Sequence, residues 1–149
     1  MYIEKQQGNY CRCHALNNLV GKPLISLKEF DIYCDEFDKK NHYDIGSSRN
    51  KYFFYNNGLT DNIFGYILQK KGFNIEMEHY DFYRPRKIRN CEKGTIGYII
   101  YNTQHTWCVR VVDSEYWVID SMKREVQKLN DLGSLERKGV GVILVKMNS

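Results

Sequence analysis

The sequence has no apolar run approaching the roughly 18 residues of a membrane span, and its N-terminus, MYIEKQQGNY, has no apolar stretch of the signal-peptide kind. Both absences lead us to expect a soluble intracellular protein. There is no internal repeat, no low-complexity tract and no Gly/Ser- or Pro-rich linker, so nothing marks a boundary, and one domain over 1–149 is expected. Cysteine is present in an odd number at irregular positions: Cys11, Cys13, Cys34, Cys91 and Cys108. That pattern argues against a disulfide framework and for free thiols in a reducing compartment, the cytoplasm and by extension the nucleus. A net charge of +4 is too small and dispersed to indicate nucleic-acid binding. The one basic run, Arg84, Arg86, Lys87 and Arg89, reads as a solvated loop.

What is present is an ordinary globular composition, with 42% hydrophobic and 27% charged residues, enough for a single core. Helical spacing joins Cys11, Ala15, Leu16, Leu19 and Val20, with Asn9 as a plausible N-cap and Gly21 and Pro23 as the stop. Cys11 then lies in the first turn. Ser26 and Glu29 form an S-x-x-E capping box ahead of a second helix carrying Leu27, Phe30, Tyr33, Cys34 and Phe37. Periodicity fades from Lys39 to Gly58, a stretch rich in Asn, Tyr and Ser, whose aromatic run Tyr52-Phe53-Phe54-Tyr55 suits either a core or a docking surface. Thr60 is positioned to cap a third helix with Ile63, Phe64, Ile67 and Leu68 as its stripe and Gly72 as its terminator.

From Phe73 the pattern changes to short β-type runs: FNIEM, TIGYIIY, HTWCVRVV, YWVID and VGVILVK. Residues 129–138 read as one more short helix. The sum is an α+β chain, helices first, with a mostly antiparallel sheet.

A cysteine attacks acyl groups as the thiolate, which the first turn of a helix favours through its unpaired N–H groups and dipole. Cys11 stands at such a place. Gln6, five residues earlier, can offer a side-chain amide to a tetrahedral oxyanion, with Gln7 as a rival. A base must come from elsewhere in the chain, and His105, at the start of a strand beside the polar turn Asn102-Thr103-Gln104, is the best candidate. A two-residue loop at Asp113-Ser114 would face Val112 with Glu115 and His105 with Met122. Asp120 is then the diagonal neighbour of His105 on the same face; a three-residue loop would send it to the other face.

Three blocks carry a family resemblance. The run EKQQGNYCRCHALNNLVG at 4–21 resembles the opening of the Josephin deubiquitinases, a Gln, then a Cys, then H-x-L-N-N, fitted by Gln6, Cys11, His14, Leu16, Asn17 and Asn18. HTWCVR at 105–110 resembles the family's H-W-x-x-V/L-R segment, and YWVIDS at 116–121 its Y-x-N-L-D-S or W-F-N-L-N-S segment. The similarity also takes in the helix after Thr60 and the final VGVILVK strand. It implies a papain-like fold, Cys11 as nucleophile, His105 as base, Asp120 as third triad member and Gln6 at the oxyanion hole. The short single-domain Josephins are the nearer type, given Asp at the third position. The implied partner is ubiquitin or a polyubiquitin chain, bound by a monomer that uses no metal or organic cofactor. Two departures stand out. The family's Trp directly after the histidine is Thr106 here, with Trp107 one place later on the opposite strand face, and 39–58 shows no match to the family's helical arm.

Plainer readings compete residue by residue. Cys11 fits a buried apolar thiol in a helix stripe, and Cys11, Cys13 and His14 form a C-x-C-H cluster, although no second ligand pair follows at zinc-finger spacing. Asp120 fits an ordinary strand-end carboxylate, and His14, Asn17 and Asn18 read as hydrogen-bonding residues of the helix and its surroundings. For the whole chain, the alternatives to an enzyme cleaving at the ubiquitin C-terminus are a ubiquitin-binding module without turnover and a papain-like protease with another peptide substrate.

Overall fold

Helix α1, Cys11–Val20, is the centre of the structure. A computed structural model of the chain describes residues 1–49, 59–80, 87–88 and 93–148. In it every residue of α1 from Cys11 to Leu19 is buried, the polar Arg12, His14, Asn17 and Asn18 included. A stripe of apolar residues was the expected pattern; the helix is instead enclosed on all sides, and its polar side chains find partners within the fold. Its C-terminal cap is Gly21 at φ 83°, the left-handed conformation that glycine adopts without a Cβ penalty. A Cβ there would come within 2.4 Å of the Arg110 guanidinium carbon. That arginine supplies a cation to a helix end whose own last turn has no basic residue.

Helix α2, Leu27–Lys40, starts with the expected capping box: Glu29 N donates to Ser26 Oγ at 3.1 Å, and Ser26 N donates back to the Glu29 carboxylate. In the aperiodic stretch after it, Asp38 anchors the chain at residues 46–48. This carboxylate, 0% exposed, accepts from Gly46 N at 3.0 Å and Ser48 N at 3.1 Å. The aromatic run at 52–55, Cys91 and all of the basic run except Lys87 lie outside the described residues.

Helix α3, Ile63–Lys70, follows a 3-10 turn at Leu59–Asn62. Thr60 is not its cap: the turn makes Asn62 the N-cap, without a side-chain bond, and leaves the Thr60 hydroxyl buried and unpaired. Gly72 does end the element, at φ 89° just beyond the C-cap.

Among the described residues the sheet has six strands: β1 Ile75–Tyr80, β2 Thr95–Tyr101, β3 Thr106–Val112, β4 Glu115–Ile119, β5 Gln127–Leu129 and β6 Gly141–Met147. They lie in the order β1-β6-β2-β3-β4-β5, and each pairing is antiparallel. The expected helix at 129–138 is corrected to a 3-10 turn at Gly133–Leu135, preceded by β5, which had not been expected as a strand. Alternation along the strands splits the core in two. Ile99, Cys108, Ile119, Ile143 and Val145 meet the helices, while Tyr98, Ile100, Val109, Val142 and Leu144 meet Leu132, Leu135 and Val140 on the other face. Helix α1 presses onto β2 and β3 at Gly97, where a Cβ would lie 2.4 Å from Leu19 Cδ1 and 2.3 Å from the Val109 carbonyl oxygen. No described helix is long and apolar enough to cross a membrane.

Candidate active site

The turn between β3 and β4 decides what reaches the end of the sheet. Asp113 at φ 51° and Ser114 at φ 64° form a two-residue connection with both central residues left-handed, the geometry that matches strand twist in tight hairpins. Val112 therefore pairs with Glu115 and Cys108 with Ile119. Continued past the strand ends, this register sets His105 opposite Met122 and Asp120 diagonal to His105. The imidazole and carboxylate meet, with Nε2 to Oδ1 at 2.6 Å.

Local hydrogen bonds hold each partner. Asn102 Oδ1 accepts from the backbone N–H of both Gln104 and His105 at 2.8 Å, and Asn102 N donates to His105 O at 3.0 Å, which shapes the loop that delivers the histidine. Asp120 Oδ1 also accepts from Met122 N at 2.9 Å. Trp107 lies parallel to the His105 ring, with centroids 5.8 Å apart and 18° between planes. The shift of this ring by one residue from the family pattern thus leaves an aromatic face packed beside His105. Thr106, in the usual place of the ring, is buried with an unpaired hydroxyl.

Nε2 is held by Asp120, Nδ1 is buried, and Cys11 is the second group that acts on the ring. The Cys11 side chain acts on the ring both as hydrogen-bond partner and as negative charge. Burial alone would lower the His105 pKa, but the hydrogen bonds and charges of Asp120 and Cys11 outweigh it and push it up to about 9 from its ordinary 6.5. Asp120 responds in the opposite sense. Burial would raise it, yet the hydrogen bonds from His105 and Met122 N, with the charges of His105 and Lys123, hold it below the ordinary carboxylate value.

Cys11 is the first residue of α1. Its N-cap is Tyr10, not Asn9 as expected, and no side chain caps the helix. No acidic residue occupies the first turn, so the N–H groups at this end stay available to negative charge. Among the other described thiols, burial raises the pKa of Cys13 and Cys108 and pushes Cys34 up to about 12. Cys11, Cys13 and His14 do not converge as metal ligands. Cys13 Sγ lies 3.8 Å from Ile25 O, and both ring nitrogens of His14 are occupied, Nε2 by Gln7 N at 3.1 Å and Nδ1 by the Glu4 carboxylate at 2.8 Å.

Gln6 is fastened to the chain leaving β4, one residue beyond Asp120. Its backbone N–H donates to Ser121 O at 2.9 Å, its Oε1 accepts from the Ser121 hydroxyl, and its Nε2 donates to Gly8 O at 2.7 Å. Gln7, the rival, is exposed and gives its backbone N–H to His14. The segment that carries Gln6 is fastened to α1 by Glu4. Its carboxylate accepts from His14 and from Asn17 Nδ2 at 3.0 Å, and its backbone N–H donates to Asn18 Oδ1 at 2.6 Å. Sequence reasoning had no role for Glu4 or Ser121. The Gln6–Ser121 pairing spans 115 residues, and no local pattern reports it.

A family model described as Josephin matches residues 6–137, from Gln6 through Cys11, His105 and Asp120. The chain belongs to the Josephin family. Josephins are deubiquitinating cysteine proteases that bind ubiquitin, and the three helices and antiparallel sheet fit the papain-like fold of that family. No curated protein sequence matches this Josephin chain.

Proposed function

We propose that this Josephin domain is a thiol-dependent hydrolase that cleaves the peptide or isopeptide bond at the ubiquitin C-terminus, with Cys11, His105 and Asp120 as triad and Gln6 as oxyanion donor. The observation that carries this reading is His105 held by Asp120 at 2.6 Å with Cys11 as the second group that acts on its ring. The Cys11 thiolate attacks the terminal carbonyl carbon, and the carbonyl electron pair moves to oxygen. Gln6 Nε2 and the N–H groups at the start of α1 meet that oxyanion. His105 gives its proton to the departing amine as the C–N bond breaks, leaving a thioester on Cys11. Water, losing a proton to His105, hydrolyses the thioester and frees the ubiquitin carboxylate. The whole chain acts as one catalytic domain and as a monomer. Its four described cysteines form no disulfide, which suits the cytoplasm or nucleus.

One observation favours a second reading, a ubiquitin-binding module without turnover: Cys11 is only 1% exposed. Ubiquitin bearing a C-terminal thiol-reactive warhead separates the two. An adduct in the intact mass that vanishes in Cys11→Ala supports the hydrolase. Bound ubiquitin with no adduct rejects it.

A further inference from the structure

An oxyanion donor works only if its amide presents N–H rather than C=O to the developing charge, and the two ends of a glutamine amide have nearly the same shape. What fixes the end presented by Gln6 can be counted atom by atom. Gly8 O only accepts, so the amide atom 2.7 Å away is Nε2, and one of its two N–H groups is spent there. Oε1 accepts from the Ser121 hydroxyl. One N–H is left over by these bonds, and Gln6 is only partly buried. Ser121 is 5% exposed, and its carbonyl also takes the Gln6 backbone N–H at 2.9 Å, so it grips both the main chain and the side chain of Gln6.

From this census we infer that Ser121 is a positioning residue that locks the Gln6 amide with its free N–H toward the oxyanion. The inference rests on the reading of Gln6 as oxyanion donor. It gives the dipeptide Asp120-Ser121 two tasks: Asp120 orients the base through Nε2, and Ser121, one residue on, orients the oxyanion donor. Both halves of the chemistry are then set by the chain leaving β4. Without the hydroxyl, Oε1 loses its donor, and Gly8 O alone is left to hold the amide about its last torsion, which is broad and roughly two-fold.

The test is a double-mutant cycle on a ubiquitin substrate with a fluorescent leaving group, with thermal melts recorded for every variant. Gln6→Ala is expected to lower kcat by about 10²–10³-fold with little change in KM, as for loss of one oxyanion donor. Ser121→Ala is expected to lower kcat about tenfold in the presence of Gln6, the size of one lost hydrogen bond, and less than about twofold in the Gln6→Ala background. Ser121→Thr, which keeps the hydroxyl, restores most of the loss. Affinity for ubiquitin aldehyde, whose adduct with the thiol carries the tetrahedral oxygen, falls with kcat, while affinity for ubiquitin itself does not. An equal drop from Ser121→Ala in both backgrounds, or one confined to KM or melting temperature, overturns the positioning role. If Gln6→Ala leaves kcat unchanged, it is the assignment of Gln6 that fails.

Discussion

His105 is held charged by two neighbours at once, and that fixes how the site responds to pH. Its pKa of about 9 lies above the ordinary 6.5, so between these values the folded protein keeps a proton that a free histidine would lose. The stability this contributes is present in full below about pH 6.5 and is lost as pH rises through about 9. In the proposed mechanism activity follows the same proton, because an uncharged His105 can neither pair with the thiolate nor protonate the leaving amine. Asp120→Asn keeps a hydrogen-bond acceptor but removes the charge, and Asn is the residue some Josephins carry in the corresponding motif. We therefore expect the variant to retain turnover, with the alkaline limb of kcat/KM moved well below pH 9. A pH–rate profile measures this directly, and an unmoved limb would show that the Asp120 charge does not hold the proton. Asp120 was legible as a partner of His105 because a two-residue turn is a local signal that counts register along both strands. Ser121 was not, since its role depends on a strap arriving from the other end of the chain.

At the scale of elements, what was legible is what local chemistry closes by itself. The Ser26–Glu29 box and the left-handed glycines Gly21 and Gly72 form where the sequence indicates. Asn9 and Thr60 look as suitable, yet neither caps, because the chain around each obeys a stronger demand. The N-terminal strap sets the entry to α1, and the 3-10 turn carries Asp61 toward Arg12. Strand β5 was missed because three residues, two of them exposed, are too few to show a period. The capping box also joins helices, since Glu29 pairs with Lys71 Nζ at 2.7 Å beyond the end of α3, and that hydrogen bond, outweighing the rise from burial, holds its carboxyl below the ordinary value. Ser26→Ala is expected to cost about 1 kcal/mol of stability, the usual loss for a serine cap. Because α2 contributes no group to the chemistry, kcat should stay unchanged. Urea denaturation together with steady-state rates checks both parts, and a loss of kcat at full stability would contradict this separation.

Across the whole molecule, the residue beside Cys11 ties distant parts of the chain together. Arg12 is 3% exposed, and its guanidinium reaches Ser48 O at 2.9 Å, Thr60 O at 3.3 Å and Asp61 Oδ1 at 2.9 Å, with the Phe64 ring centroid 5.7 Å away. One side chain thereby clasps the chain on both sides of residues 50–58 and fastens it to α1. Nothing in the sequence announced this, because an arginine in a helix reads as solvated until the rest of the fold closes over it. The pair is costly to break on one side. Asp61 is 2% exposed, and a carboxylate left there without its cation is expected to cost about 3–5 kcal/mol, far more than a surface pair would. Arg12→Met should therefore lower unfolding free energy by that amount. Arg12→Met with Asp61→Leu should recover a large part of it, since two apolar groups of similar volume need no counter-charge. Urea unfolding of the two variants and the parent decides the matter. A single variant costing under about 1 kcal/mol would show that the pair is solvated in practice. A double variant no more stable than the single would place the stability in the hydrogen bonds to Ser48 and Thr60 rather than in the charge.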